Sequence, residues 1–407
     1  MLSSKIRNIS YAMPIVLIGA SGLILISRGM HNSWGLFLIP MTDHLNVGRE
    51  IYSIGISLNV LFSGLGAPLF GALADKYGPG KSILVGVILQ IISQYWLSNV
   101  SNSFDLIGSL LLGGFAAAGF IGIAMAAVGR SVNPQNRSLF VGLVMASGGL
   151  GQFLITPLMS GIIQNSGWLT AVYLLMFFSS LLLIFSYLIS FSKDTNSDSN
   201  SIKQTVSEAF KEAVKNKNFN LLTLGFFVCG FHVTFIGSHF PAYLQDQGLA
   251  SIAGWSLGLL GLFNVFGTTM YGFLGDRMSK KNLLVSIYTF RSLIFLIFIF
   301  MPKNEFTVMA FAGILGLLWL STVPLTSGVI SDIFGPSFTS MLFGITLFSH
   351  NLGSALGSWL GGRIFDQYQS YDVMWIACVA LGLLAALLHY PIKGAAIHRI
   401  NVNPVTS

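Results

Sequence analysis

Charge is scarce in this chain. Only 9% of its 407 residues are Asp, Glu, Lys or Arg, against 53% hydrophobic. A soluble domain of this length needs far more charged surface, so the composition excludes an ordinary globular enzyme and points to a chain solvated mainly by lipid. Cysteine is nearly absent too. The two present, Cys229 and Cys378, lie inside apolar runs, which excludes a disulfide framework and a cysteine metal site. No Gly-x-x-x-x-Gly-Lys-Ser/Thr stretch exists to cradle a nucleotide. No nucleophile, metal cluster or cofactor fingerprint stands out, so neither enzyme activity, cofactor nor metal is expected. The most telling scarcity is of acid at depth: all 14 Asp and Glu fall in polar loops or at the ends of apolar runs. The net charge of +7 is spread thinly over short loops, which argues against a nucleic-acid partner.

Apolar sequence of helical length is abundant. Runs long enough to cross a ~30 Å hydrocarbon core cover residues 14–40, 50–74, 82–99, 104–128, 139–163 and 169–192, then 220–244, 252–274, 282–301, 306–329, 341–363 and 371–392. The first is too long for a signal-peptide core and lacks a clear cleavage site, so it reads as a retained helix. Twelve spans put both termini on one side. Placing them inside assigns the basic residues of 5–7, 76–81, 130–137, 193–217, 277–281 and 393–399 to the cytoplasm and leaves only Arg49, Lys303 and Arg363 in or beside outer loops. The expectation is a monomeric, multi-pass protein of the cytoplasmic (inner) membrane, with the lipid bilayer as its main partner. Residues 193–200 are rich in Ser, Asn and Asp and read as a flexible linker. Ile202, Val206, Ala209, Phe210, Ala213 and Val214 then recur at helical spacing beside lysines. That pattern suggests a short helix on the inner membrane surface; a plain solvated linker is the alternative.

A charged, Gly-rich turn organises the whole. Gly71-Ala72-Leu73-Ala74-Asp75-Lys76-Tyr77-Gly78-Pro79-Gly80-Lys81 sits between two apolar runs, and Gly272-Phe273-Leu274-Gly275-Asp276-Arg277 repeats it. Gly66, Gly71, Leu73 and Asp75 fall on Gly267, Gly272, Leu274 and Asp276 at one constant shift, 201 residues. A chain that repeats itself at half-length is two copies of one unit. An Asp just before a helix faces its unpaired N–H groups and the positive end of its dipole. Glycines let helices approach closely. The pattern resembles the signature loop of the major facilitator superfamily, found between helices two and three and again, weakened, between eight and nine. The resemblance implies an all-α membrane protein with twelve transmembrane helices in two pseudo-symmetric six-helix bundles. Residues 1–192 and 219–392 would be the bundles, 193–218 a cytoplasmic linker and 393–407 a cytoplasmic tail. Gly71, Asp75, Lys76, Lys81, Asp276 and Arg277 would gate the conformational change.

Ionisable residues inside spans are expensive and are functional hypotheses by default. Arg28 lies in the first span and Arg291 about halfway along the ninth. With no buried carboxylate to pair with, each needs water, backbone carbonyls or a bound anion, and a substrate carboxylate fits the guanidinium fork. Against this, Arg28 has the option of snorkelling outward and Arg291 that of bonding helix-end carbonyls. His31, His232, His239 and His350 also fall within spans, and the repeat shift places His31 on His232. Imidazole titrates near neutral pH and can relay a proton. For a single histidine, a hydrogen-bonded packing role is the plainer reading. As a set, in spans one, seven and eleven that line the cavity of the resembled fold, they become candidates, with His232 and His350 for proton coupling. Asn59, Asn264, Trp319 and Asn351 complete the candidate substrate site.

A narrower resemblance covers nearly all the spans. Ser33-Trp34-Gly35-Leu36-Phe37-Leu38-Ile39-Pro40, Gly48-Arg49-Glu50, Gly167-Trp168, Phe231-His232-Val233, His239-Phe240-Pro241 and Ser349-His350-Asn351-Leu352-Gly353 look like the bacterial branch of the monocarboxylate-transporter-like group. The acidic-Gly-x-Trp start of the animal members is missing, and residues 252–274 lack the arginine that group carries in the eighth span. The resemblance implies a secondary transporter that moves a small organic anion by alternating access, coupled to a proton or by exchange. Drug or metabolite efflux is the alternative within the superfamily. A non-transporting sensor is the other, although no large soluble domain accompanies the spans.

Overall fold

In the computed structural model, residues 2–133, 136–192, 206–335 and 339–393 are described. The expected linker over 193–205, with Lys193 and Lys203, and the tail over 394–407, with Arg399, lie outside them. Every regular element among the described residues is helical. The first set is α1 (Leu2–His31), α2 (Leu38–Leu45), α3 (Arg49–Tyr77), α4 (Pro79–Ser98), α5 (Ser103–Ala117), α6 (Phe120–Ser131) and α7 (Arg137–Ile189). Then come α8 (Val206–Lys215), α9 (Lys217–Asp246), α10 (Ala253–Gly275), α11 (Lys280–Phe300), α12 (Glu305–Leu318), α13 (Thr322–Phe334), α14 (Thr339–Tyr368) and α15 (Asp372–His389). In α8, Ala213 is buried while Phe210 and Val214 are exposed.

Local chemistry sets the boundaries. Gly78, at φ +92°, lets the chain turn between α3 and α4, and Pro79 opens α4 where its missing N–H has no helical partner to lose. The side chain of Asn102 accepts from Asp105 N to cap α5, and Asn304 and Thr307 form a reciprocal capping box on α12. Gly167, at φ +82°, breaks α7 into two helical stretches. Ten helical stretches, α7 counted once, are long and apolar enough to cross a membrane; α14 is a further helix of 30 residues.

One expectation needs correcting. Asp75 does not cap α4: α3 continues through it to Tyr77, and the N-cap of α4 is Gly78, which has no side chain to offer. Asp276 likewise ends α10 as its C-cap, while α11 begins after Ser279.

Helices α1–α7 pack mainly against one another, as do α9–α15, and two broad seams join the sets: α3 against α14, and α7 against α10. The two helices that carry the repeated motif, α3 and α10, thus each form one side of a seam. Glycine makes the approach close. Were Gly149 of α7 given a Cβ, that atom would lie 2.6 Å from Gly261 O of α10, and one on Gly254 would lie 2.8 Å from Thr156 O.

Candidate functional site

The repeat and the seams define two ends of the molecule: one carries Arg49, Asp246 and Asp366, the other Asp75 and Asp276. Between them, α1 places Arg28 and His31 on one face, three residues apart. Arg28 is half-buried. Its stem packs on α7, where Arg28 Cγ lies 3.1 Å from the position of a Cβ on Gly148. Its guanidinium has no hydrogen-bond or ion-pair partner among the described residues. Just toward the Arg49 end, Asn32 Nδ2 donates to Gln152 Oε1 (2.8 Å) and Gln152 Nε2 donates to Leu257 O (2.7 Å), tying α1, α7 and α10 together. Thr156 Oγ1 donates to Gly254 O (2.9 Å) and Gln164 Nε2 to Ala250 O (3.0 Å), continuing the seam to that end. The cavity left there, lined by Gly35, Ser160, Gln164 and Gln245 among others, holds about 40 Å³, room for two or three waters and for no organic substrate.

Arg291 stands in a different place. It is fully buried, and its Nη2 donates to the carbonyls of Leu318 and Trp319, while Nη1 lies 3.7 Å from Cys229 Sγ. Those carbonyls belong to the break between α12 and α13. Asn264 serves the same break from α10, its Oδ1 accepting from Leu320 N at 3.0 Å. Trp319 is buried. Arg291, Asn264 and Trp319 are therefore brought together, around freed backbone groups that a helix would otherwise pair. Asn59 is buried, donating to Leu110 O within the first set.

The histidines separate. His31 is half-buried beside Arg28. His232 is wholly buried between Cys378 O, 2.9 Å from Nε2, and the Phe295 ring. His350 is half-buried on α14, against Phe226 and with Ser354 Oγ 3.5 Å from Nδ1. Asn351 reaches α3, its Nδ2 lying 2.5 Å from where a Cβ on Gly64 would sit. His239 belongs to the closure at the Arg49 end.

That closure is a group of charges the sequence reading left out of the site. Arg49 grips Asp246 through both terminal nitrogens at 2.7 Å and donates to Tyr371 Oη at 3.0 Å. Asp366 of α14 accepts from Arg49 N (2.9 Å) and Glu50 N (2.8 Å), capping α3 from the other set of helices. Glu50 Oε1 takes Trp359 Nε1 (2.9 Å) and Arg363 Nη1 (3.1 Å). Ser57 Oγ donates to Ala355 O at 2.7 Å along the same seam. A signal was available: Arg49 and Arg363 are the rare cations at an end otherwise short of them, set against local acids.

The Asp75 end has no such closure among the described residues. The Lys280–Asp332 ion pair at that end lies within the second set. Asp75, Lys76, Lys81, Asp276 and Arg277 are exposed. A Cβ on Gly71, Gly142, Gly272 or Gly344, one glycine on each seam helix, would meet nothing within 4 Å. The polar links between the sets gather at the Arg49 end, with Arg28 between the two ends.

The comparisons with known proteins agree with this architecture. The chain is 21% identical to the oxalate:formate antiporter of Oxalobacter formigenes over 91% of its own length and 89% of that protein's. It is 24% identical to the multi-drug resistance efflux pump PmrA of Streptococcus pneumoniae, over 87% and 90%. A crystal structure of the nucleoside transporter NupG shares the fold at TM-score 0.72 and 15% identity, covering 92% of this chain and 98% of that one. The family profile described as Major Facilitator Superfamily matches residues 17–327 and 251–401. With ten apolar helical stretches of membrane-crossing length, the chain is a multi-pass membrane protein and belongs to the major facilitator superfamily.

Proposed function

We propose that the chain is a secondary active transporter carrying a small organic anion of the monocarboxylate type across the cytoplasmic membrane by alternating access, with Arg28 as the anion's counter-charge. In this reading α14 and the two parts of α7 complete twelve spans in two six-helix bundles. The Asp75 end, whose loops hold Lys76, Lys81, Arg277, Lys280 and Lys281, faces the cytoplasm. The arrangement described above is then inward-facing.

One observation carries the reading: the guanidinium of Arg28 is half-buried, has no hydrogen-bond or ion-pair partner among the described residues, and lies beside the polar seam that runs toward Arg49; in this reading its path leads to the Asp75 end. A cation withdrawn from water without a partner costs several kcal/mol. A carboxylate entering from the open end restores the balance with a bidentate pair that suits arginine better than lysine. Asn351 and His350 lie on the α14 side of the path, and His350 is less enclosed than His232. The likeness to an oxalate:formate antiporter supports an anionic substrate and exchange as the mode. Arg28→Ala should abolish uptake of labelled small carboxylates into proteoliposomes while the thermal unfolding midpoint moves little, and Arg28→Lys should recover only a small part. Full transport by Arg28→Ala would remove the anion site from this residue.

The likeness to PmrA supports a second reading, drug efflux. Competition separates the two. Cationic dyes displacing one another but not carboxylates would favour efflux.

A further inference from the structure

This inference rests on the transporter reading and concerns what opens the Arg49 end. His239 of α9 is wholly buried where the two sets of helices touch, against Gly361 of α14 and Ser53 of α3. Its Nε2 lies 2.8 Å from Ser358 O. A carbonyl only accepts, so that nitrogen carries the ring hydrogen. In the neutral ring Nδ1 is then an acceptor, and Tyr371 Oη, 3.1 Å away, donates to it. The same phenolic oxygen accepts from Arg49 Nη1, and Arg49 holds Asp246. A single directed chain of donation therefore leads from Arg49 through Tyr371 and His239 to Ser358 O, while Arg49 also donates to Asp246. It links α3 of the first set to α9 and α14 of the second.

We propose that His239 is the proton-responsive group of this closure: a proton taken up at Nδ1 turns an acceptor into a donor, breaks the direction of the chain and releases the Arg49 end to open. The proton comes from water at that end. One N–H bond forms, Tyr371 keeps its hydroxyl hydrogen, and the proton returns to water when the ring is neutral again. With the ring charged, two cationic donors, His239 Nδ1 and Arg49 Nη1, point at one phenolic oxygen.

The surroundings offer the charged ring no compensation. On α3 it faces Arg49 across Tyr371, with Ser53 beside Nε2. On α14, Asp366 is engaged by two backbone N–H groups, and Arg363 is paired with Glu50 of α3. On α9, Asp246 is engaged by Arg49, and Tyr243 packs on Tyr371. Asp372 opens α15 one residue beyond Tyr371. No carboxylate bonds the ring itself. The closed arrangement is favoured while His239 is neutral and is lost as the pH at the Arg49 end falls.

The test reads the opposite end of the molecule and needs no substrate, so it fails independently of the anion reading. Met145 lies four residues from Gly149 on α7, toward the Asp75 end, and is 38% exposed. In Met145→Cys protein the native Cys229 and Cys378 are buried and should stay silent. In oriented vesicles, labelling of this cysteine by an impermeant maleimide from the Asp75 side should slow on the order of fivefold when the Arg49-side pH falls from about 8 to about 5. His239→Gln should flatten that profile to less than about twofold. Tyr371→Phe, which removes one oxygen and keeps the ring packing, should flatten it likewise and stands in if His239→Gln does not fold. A pH-independent rate in the parent protein, or a full profile in either variant, overturns the proposal.

Discussion

Arg291 is fully buried, and its guanidinium pairs with the carbonyls of Leu318 and Trp319. Removing a buried charged donor leaves acceptors unpaired at about 1–3 kcal/mol each. Arg291→Ala should therefore lower the folded yield and the unfolding midpoint by several degrees, more than Arg28→Ala does, as read by fluorescence size-exclusion chromatography after heating. A variant that stays as stable as the parent yet stops transporting would return Arg291 to the ligand groups. Arg28 presents the reverse expectation, because losing an unpartnered cation relieves the protein alone and harms only the complex. In the proposed reading, the same residue type in two spans serves two separate problems, helix repair and anion capture.

Among elements, the two seams show one design at both ends with opposite occupancy. Along α7 and α10, Gly149, Gly254 and Gly261 are in close contact, whereas Gly142 and Gly272 further along the same helices meet nothing. Glycine inside a helix is less favourable than alanine by about 1 kcal/mol, and the present arrangement offers no packing reason for it at those two positions. A closed Asp75 end supplies one, if α7 and α10 come together there as closely as they do at Gly149. Gly142→Leu and Gly272→Leu should leave thermal stability near the parent value but reduce turnover at least tenfold, because the added side chain blocks that closure. Gly149→Leu should instead destabilise the protein outright. Normal turnover in Gly142→Leu and Gly272→Leu together would rule out this use of the glycines.

For the whole molecule, alternating access as proposed here makes the balance between two open states depend on which end holds the better closure. The Arg49–Asp246 pair is partly exposed, so solvent weakens it. Its bidentate geometry and the added Tyr371 contact still make it the strongest polar link described between the two sets. Arg49→Gln should shift the population away from the present arrangement by roughly tenfold. The readout is again the labelling rate of Met145→Cys from the Asp75 side, which should fall by a similar factor at constant pH. An unchanged rate would mean that the seams, and not the charges, hold this end shut.

Hydropathy and repetition are properties of the chain read locally, and they determined much of this protein on their own. The apolar runs, the paired motif at Asp75 and Asp276, the absence of acid at depth and the presence of two arginines there follow from residue order, since any folding must respect the cost of charge in lipid. Partners are not local. Arg291 meets carbonyls 27 and 28 positions away, and whether α12 breaks within its reach depends on how α11 packs. Arg49 meets Asp246 and Tyr371, 197 and 322 positions away, so no window along the sequence contains the closure. Asp75 shows the same divide at short range: its motif was visible, but its failure to cap α4 depended on α3 running on to Tyr77 and on Gly78 taking the turn. Residue order determined which groups must be satisfied, and only the packed helices decided by whom, because satisfaction depends on distance in space.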